Sequence, residues 1–400
     1  MSRLRSDLLS EPLARPVPTR RTAGGQVPPS LTARTAVVLQ RTVGNAAVAR
    51  LLGSPHPRTG GIVPVQRCGA VPQNECPCHE ADAKPPAVQR AIEVHDPGTT
   101  PAGAPAGTTN ATIVDGYVKK LCTDFAVSGN KAVPAGGACP VPGVAAAPVS
   151  CACLCTMHSL RDPAGAPVVW KIVVDDRDWP HTDPATRTVT VHSGFSSVEF
   201  GAWNKSNRRS MYENWLVLAH EMCGHAALFA AGTHPTGPPP SHGGRASHNP
   251  TVLIENQIAA EHGIPPADQR GLFADPHHGE SFARIVIAEF PSGSTSVAAL
   301  LAAESAKLAI AKTFMSTAGV EADVIGHSDQ PGTTARKSQI SRARAASVKA
   351  DLEGRRIATA RFIAVRGVGS AECATAGPQP SCRKVELFMY VMRGASVTHR

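Results

Sequence analysis

Four hundred residues exceed one ordinary hydrophobic core and predict two or three domains. Only 4% of them are aromatic while glycine and proline each number 35, so a sizeable part of the chain should be linker. The net charge of +9 comes from scattered Arg and Lys with no basic block interleaved with aromatics. That pattern argues against nucleic acid and leaves anionic polymers as the partners a basic surface favours.

No stretch reaches the roughly 20 apolar residues of a membrane span, so no transmembrane segment is expected. The opening MSRLRSDLLSEPLARPVPTRR carries positive charge but no continuous apolar core, so a Sec signal is not expected either. The 11 cysteines cluster as Cys68/Cys76/Cys78, Cys122/Cys139, Cys151/Cys153/Cys155 and Cys373/Cys382, with Cys223 apart. Such density predicts disulfides and residence outside the reducing cytoplasm, with metal binding as the other use. Export would then need another route.

Residues 1–110 read as a disordered tail rich in Pro, Gly, Ala, Thr and Arg. One exception is LQRTVGNAAVARLLG, where Leu39, Val43, Ala47 and Leu51 share one helical face and predict a short helix near 36–53. The tripeptides Leu39-Gln40-Arg41, Val65-Gln66-Arg67 and Val88-Gln89-Arg90 recur around it. This tail resembles the N-terminal region of proteins associated with extracellular contractile injection systems. The resemblance implies a loading or targeting segment and a contractile injection particle as partner.

From about residue 111 the pattern becomes globular. VVWKIVVDD and RTVTVHSGF read as strands. Ser210, with Glu213 three residues on, is a capping-box signature for a helix of about six turns stopping at Gly232. The stretch THPTGPPPSHGGRASHNP reads as a loop, and TVLIENQIAAEHG as a second helix ending at Gly263. The run Cys151/Cys153/Cys155 is taken as alternate strand positions on one face, with Cys122 or Cys139 as candidate partners. After residue 280 come strand, helix, strand, helix and two further strands, a compact α/β arrangement. Cys373 and Cys382 bracket a Gly/Pro loop before the last strand and are expected to pair.

Within WLVLAHEMCGHAALFAAG, His220 and Glu221 are followed by His225 one place later than in an HExxH helix, with Gly224 at the usual ligand position. Histidines four apart lie about 40° apart around an α-helix, whereas five apart gives about 140° and points them away from each other. A one-residue π-type bulge would restore the alignment, and Gly224 sits where the backbone would have to adapt. The HExxGH form resembles the zinc motif of dipeptidyl peptidase III, in which a glutamate from a later helix completes the set. That resemblance implies His220 and His225 as zinc ligands, Glu221 as general base and Glu255 as third ligand. Competitors for the third place are His234, His242, His248 and His262; Glu255 is preferred because a helix holds it, whereas three of the four histidines fall in the Gly/Pro-rich stretch. The structural alternative is two histidines satisfied by backbone carbonyls, against which a buried unpaired Glu221 would be costly.

The C-terminal run VIGHSDQPGTTARKSQISRARAASV, followed by RGVGS and CRKVELFMYV, resembles the OmpA-like peptidoglycan-binding family over roughly residues 284–393. Gly326, His327, Asp329, Gly332, Ser341, Arg344, Ala345, Val348, Gly367, Gly369, Arg383, Val385 and Glu386 are in register with it. The resemblance implies that Asp329 and Arg344 hold the amino-acid end of diaminopimelate in a stem peptide. A carboxylate for the ammonium and a guanidinium for the carboxylate would suit that zwitterion.

The expected architecture is therefore α+β and multidomain. A tail over 1–110 precedes a zincin-like metallopeptidase domain over 111–280 and an OmpA-like β-α-β-α-β-β domain over 281–395, joined through a flexible segment at 264–283. The expected function is an exported zinc metallopeptidase anchored to peptidoglycan in the cell envelope or outside the cell, cutting peptide or protein substrates. The alternatives are a non-enzymatic wall-anchored component or effector of a contractile injection system, with a structural metal site, and a toxin delivered into a foreign cell.

Overall fold

Globular structure begins before residue 111. In the computed structural model, which describes residues 92–137, 139, 147–234, 245–272, 281–373 and 377–391, β1 (Ile92–Val94) lies inside a sheet. Ile92 and Val94 point to the core while Glu93 points out, the period-two pattern of a half-buried strand. The tail boundary expected at residue 110 therefore falls inside folded structure. The short helix expected near 36–53 lies outside the described residues.

Helix α1 (Asn110–Leu121) starts at a reciprocal cap, with Thr109 Oγ1 accepting from Thr112 N and Thr112 Oγ1 from Thr109 N. Its Ile113, Val114, Val118 and Leu121 are buried. Strands β2 (Phe125–Ser128) and β3 (Lys131–Pro134) form a hairpin. Next comes α2 (Val149–His158), which holds all three alternating cysteines on a helix, not a strand. Alternation misled here because Cys151 and Cys155, four apart, share a helical face with Leu154 between them, all three buried. Strands β4 (Trp170–Val174), β5 (His181–Asp183) and β6 (Thr188–Val191) complete a six-stranded sheet in the order β2-β3-β1-β4-β6-β5.

β7 (Val198–Trp203) and β8 (Arg209–Met211) form an antiparallel hairpin in which Ala202 pairs with Ser210. Ser210 is thus part of a ladder and caps nothing; the following helix starts at Asn214. That helix, α3, has α-helical ends at Asn214–Leu218 and Ala227–Ala230 around a π-helical centre, Ala219–Ala226. It stops where Gly232 adopts φ +66°, and Thr233 N and His234 N both bond to Leu228 O. Helix α4 (Arg245–Glu261) begins well before Thr251, so the RASHNP segment read as loop is helical, with Pro250 inside it. Proline removes one ladder hydrogen bond, a modest loss so near a helix start.

The remaining elements are β9 (Ser281–Ile287), α5 (Ala302–Ser316), β10 (Val320–Gly326), α6 (Thr334–Gly354), β11 (Phe362–Gly367) and β12 (Val385–Val391). β10 and β11 are parallel, joined through α6, and β12 pairs antiparallel with both β10 and β9. The sheet does not end at β9. Its order is β11-β10-β12-β9-β7-β8, so the β7–β8 hairpin extends it by pairing β7 with β9. The two regions expected to be separate modules consequently share one sheet. Phe200 and Val217 from the first pack in one cluster with Ile285, Phe314 and Met389 from the second. Arg209 on β8 reinforces the union by bonding Asp323 on β10 and Tyr390 on β12.

Three disulfides are formed among the described cysteines. Cys373–Cys382 closes the loop before β12 as expected. Cys122–Cys151 ties α1 to α2, and Cys153–Cys223 ties α2 to the π-helical segment of α3. No described helix is long and apolar enough to cross a membrane.

Candidate metal centre

The π-helical segment sets the site. In an i→i+5 ladder residues five apart come to one side, as residues four apart do in an α-helix. The Ala227 N–H bonds to Met222 O, five residues back, and the His220 and His225 rings face the same space with centroids 4.9 Å apart. Gly224 is needed for room more than for backbone freedom. A Cβ there would meet Thr251 Cγ2 on α4 at 2.3 Å, and Thr251 Oγ1 donates to Gly224 O at 3.0 Å. Cys223 anchors the same segment to α2.

Helix α4 brings His248, Thr251 and Glu255 to this segment, since residues at i, i+3 and i+7 share a helical face. Ligand atoms of His220, His225 and His248 all lie within 4.8 Å of one another. His248 Nε2 and His220 Nε2 are 3.0 Å apart, and the His225 and His248 rings stack with centroids 5.1 Å apart. Glu255 takes another part: its Oε2 stands 2.6 Å from His220 Nδ1, on the ring nitrogen that does not face His248. His225 Nδ1 is likewise engaged, with His234 Nε2 at 2.8 Å. The donor set that fits a zinc ion is therefore His220, His225 and His248, with Glu255 and His234 orienting two of the rings from behind. Sequence reasoning ranked His248 below Glu255. The signal that could have reversed the order was the i, i+7 spacing of the two on one helix face.

Glu221 is buried and its Oε2 accepts from Thr182 Oγ1 on β5 at 2.8 Å. Burial raises its pKa, against the pull of His220 and of the Thr182 hydroxyl. Burial acts the same way on Glu255, but the Arg270 guanidinium and His220 outweigh it and bring that pKa below the ordinary value. Arg270 reaches Glu255 Oε2 at 3.3 Å and Ser281 Oγ, the first residue of β9, at 2.6 Å. Two carboxyls in one buried site are thus driven apart, Glu255 toward its ionised form and Glu221 toward its protonated form. Thr182 and Arg270 had no sequence signal. His262 packs at a tilt against Trp215, ring centroids 4.6 Å apart, and His242 falls outside the described residues.

In the C-terminal region, β10 ends at Gly326, where a Cβ would lie 1.9 Å from Ser341 O on α6. This close approach seats Arg344 under the end of the strand. Arg344 is fully buried and donates to Ser294 O and His327 O, both at 2.9 Å, and to Pro291 O at 3.4 Å. Its desolvation pushes the guanidinium pKa down to about 10, against the favourable charge of Asp329. Asp329 itself pairs with Arg383 at 3.3 Å, and both side chains are 13% exposed. The expected Asp329–Arg344 clamp is arranged differently: Arg383 meets Asp329, both of them mostly buried, and Arg344 supports the neighbouring loops.

No protein-family model matches the chain, and no curated protein matches it. Among solved structures, the peptidoglycan-associated lipoprotein of Burkholderia pseudomallei is similar over 30% of this chain and 95% of its own, at 16% identity and a TM-score of 0.23. The cell wall anchor of the T6SS from Pseudomonas aeruginosa is similar over 27% of this chain and 81% of its own, at 22% identity and a TM-score of 0.23. An outer membrane protein of Borrelia burgdorferi B31 is similar over 28% and 90%, at 15% identity and a TM-score of 0.23.

Proposed function

We propose that this chain is a zinc-dependent peptide hydrolase held to peptidoglycan in the cell envelope by its C-terminal region. The observation carrying the hydrolase reading is the convergence of three imidazoles beside a buried glutamate whose pKa is raised. Zinc held by His220, His225 and His248 would supply Lewis-acid polarisation of a substrate carbonyl. Thr182 occupies Glu221 Oε2, so Oε1 is the oxygen left to take a proton from an attacking water and pass it to the leaving amine. The test is metal analysis with a protease assay on unfolded casein. One zinc per chain is expected, lost in His225→Ala and retained in Glu221→Gln, which should lose hydrolysis. Zinc-free wild-type protein, or full activity in Glu221→Gln, overturns the reading.

The non-enzymatic alternative, a component or effector of a contractile injection system with a structural metal, draws on the burial of His220, Glu221 and His225, which are 8%, 7% and 6% exposed. A zinc-loaded wild type that cuts nothing would favour it.

The peptidoglycan role rests on the motif residues and on how they are placed. Asp329 offers a carboxylate to the ammonium of a diaminopimelate residue, and Arg383, paired beside it, offers a guanidinium to its carboxylate. Asp329→Asn should abolish pull-down with purified sacculi. Arg344→Ala is the poorer test, because it strips three carbonyls of their donor and destabilises the loops.

A further inference from the structure

The three disulfides use all the described cysteines except Cys139 and Cys155. These two are neighbours in space. Cys155 is buried on α2, which packs on β3. Cys139 lies just beyond the end of β3 and packs against the hydrophobic cluster that contains Cys155. The two thiols hydrogen-bond to each other, and burial together with that bond raises the Cys155 pKa. Two thiols in contact either share a metal ion or close on each other. A structural zinc site needs further ligands beside two thiolates. Among the described residues, Cys139 and Cys155 belong to no cluster of three or more ligating side chains.

We propose that Cys139 and Cys155 are a disulfide-forming pair, closed in the folded chain by exchange with a small-molecule disulfide such as oxidised glutathione. The inference is independent of the hydrolase and anchoring readings. Cys139 is partly exposed and meets the reagent, whereas Cys155 is 9% exposed. The Cys139 thiolate attacks one glutathione sulfur, forming a mixed disulfide and releasing one glutathione thiolate. The Cys155 sulfur then attacks the Cys139 sulfur and expels the second glutathione. Two protein thiols are thereby oxidised to one disulfide, the S–S bond of the reagent is reduced to two thiols, and both protons end on glutathione. Side-chain rotation brings the sulfurs from contact to a bond of about 2.05 Å. Closure also protects a neighbour. Cys155 shares a helical face with Cys151, four residues back, so an open thiol there is placed to attack the Cys122–Cys151 bond. Once closed, the pair makes α2 the origin of three crosslinks: to α1, to the π-helical segment of α3 and to the chain beyond β3.

The test incubates the full chain with oxidised glutathione, denatures it without reductant and alkylates it with a light reagent. Reduction and alkylation with a heavy reagent follow, and mass spectrometry locates each label, with an unreduced digest read for bound glutathione. In wild type both Cys139 and Cys155 should carry the heavy label, with glutathione on neither. Light label or glutathione on either of them in wild type overturns the pair, and this arm needs no variant to fold. In Cys139→Ser, Cys155 should take the light label or retain a glutathione, while Cys122, Cys151, Cys153 and Cys223 keep the heavy one. A Cys155 that stays blocked in Cys139→Ser without glutathione has another partner, which overturns the pair as well.

Discussion

Glu255 stands behind His220: its Oε2 lies 2.6 Å from His220 Nδ1, while His220 Nε2 faces His248 Nε2 at 3.0 Å. A carboxylate in that place fixes the ring so that its other nitrogen is the bare one, and makes that nitrogen a stronger donor to a metal. The two acidic residues near the centre are therefore placed differently, Glu221 against Thr182 and Glu255 against His220. Arg270 and Ser281 extend the support to the first strand of the C-terminal region.

Ligand and supporter should respond differently to substitution. His248→Ala removes a coordinating nitrogen and should empty the site at micromolar zinc. Glu255→Gln keeps a hydrogen-bond acceptor for His220 and should lower zinc affinity by about 10–100-fold. Competition with a chromogenic chelator measures both. Equal loss in the two variants would return Glu255 to the coordination sphere.

Space at Gly224 can be tested by a double substitution. Gly224→Ala drives its Cβ to within 2.3 Å of Thr251 Cγ2 and should cost about 1–3 kcal/mol while spreading α3 from α4. Thr251→Ser removes that methyl and keeps the hydroxyl that donates to Gly224 O. The pair should regain most of the stability lost by Gly224→Ala in urea melts. No recovery would mean that backbone conformation, not packing, demands the glycine.

Much of the fold was written in local pattern. The β-branched runs at β4 and β6, and helix α6 over Thr334–Gly354, follow the periodicities of the sequence. So does the π-helical segment, because an extra residue between two histidines on an apolar helix leaves few alternatives. What escaped was non-local or locally contradictory. Pro250 and the preceding glycines masked the start of α4, and with it His248. The three residues of β1 are too few for a local pattern to single out, and pairing with β3 and β4 makes them a strand. Nothing within β7 foretells that it pairs with β9, some eighty residues on.

The disulfide between Cys153 and Cys223 bears directly on the centre, because Cys223 lies inside the π-helical segment between Glu221 and His225. Opening it with a thiol reductant should cost about 2–4 kcal/mol and loosen that segment from α2. Zinc affinity should fall with it, read as faster transfer to a chelator under reducing conditions. Cys153→Ser/Cys223→Ser should reproduce the effect without reductant; an unaltered transfer rate would show that α4 alone holds the histidines.

Acid should weaken the C-terminal region through Glu386. Burial would raise its pKa, but His327, Arg284 and Lys384 outweigh burial and bring it from 4.5 to about 2. A carboxylate depressed in the folded state stabilises fully above its unfolded value and loses that contribution as the pH falls from about 4.5 to about 2. The amount is on the order of 3 kcal/mol. Glu386→Gln should therefore be less stable than wild type at pH 7, and the gap should close toward pH 2. A gap independent of pH would assign the loss to packing.

The shared sheet gives the last prediction. Arg209 leaves the β7–β8 hairpin to pair with Asp323 and Tyr390, with its guanidinium 4.2 Å from the Phe388 ring centroid. Asp323 and Arg209 are 15% and 18% exposed, so removing the cation leaves a carboxylate largely cut off from water. Arg209→Met should cost about 3 kcal/mol. The two regions also share a hydrophobic cluster and five β7–β9 residue pairings, so they should unfold as one unit. Tryptophan fluorescence reports the first region, which holds Trp170, Trp179, Trp203 and Trp215, and hydrogen exchange of the β10 amides reports the second. Both should give the same midpoint in wild type, and Arg209→Met should lower the two together. Two separate midpoints would mean that the hairpin is a detachable edge, and that the two regions are independent after all.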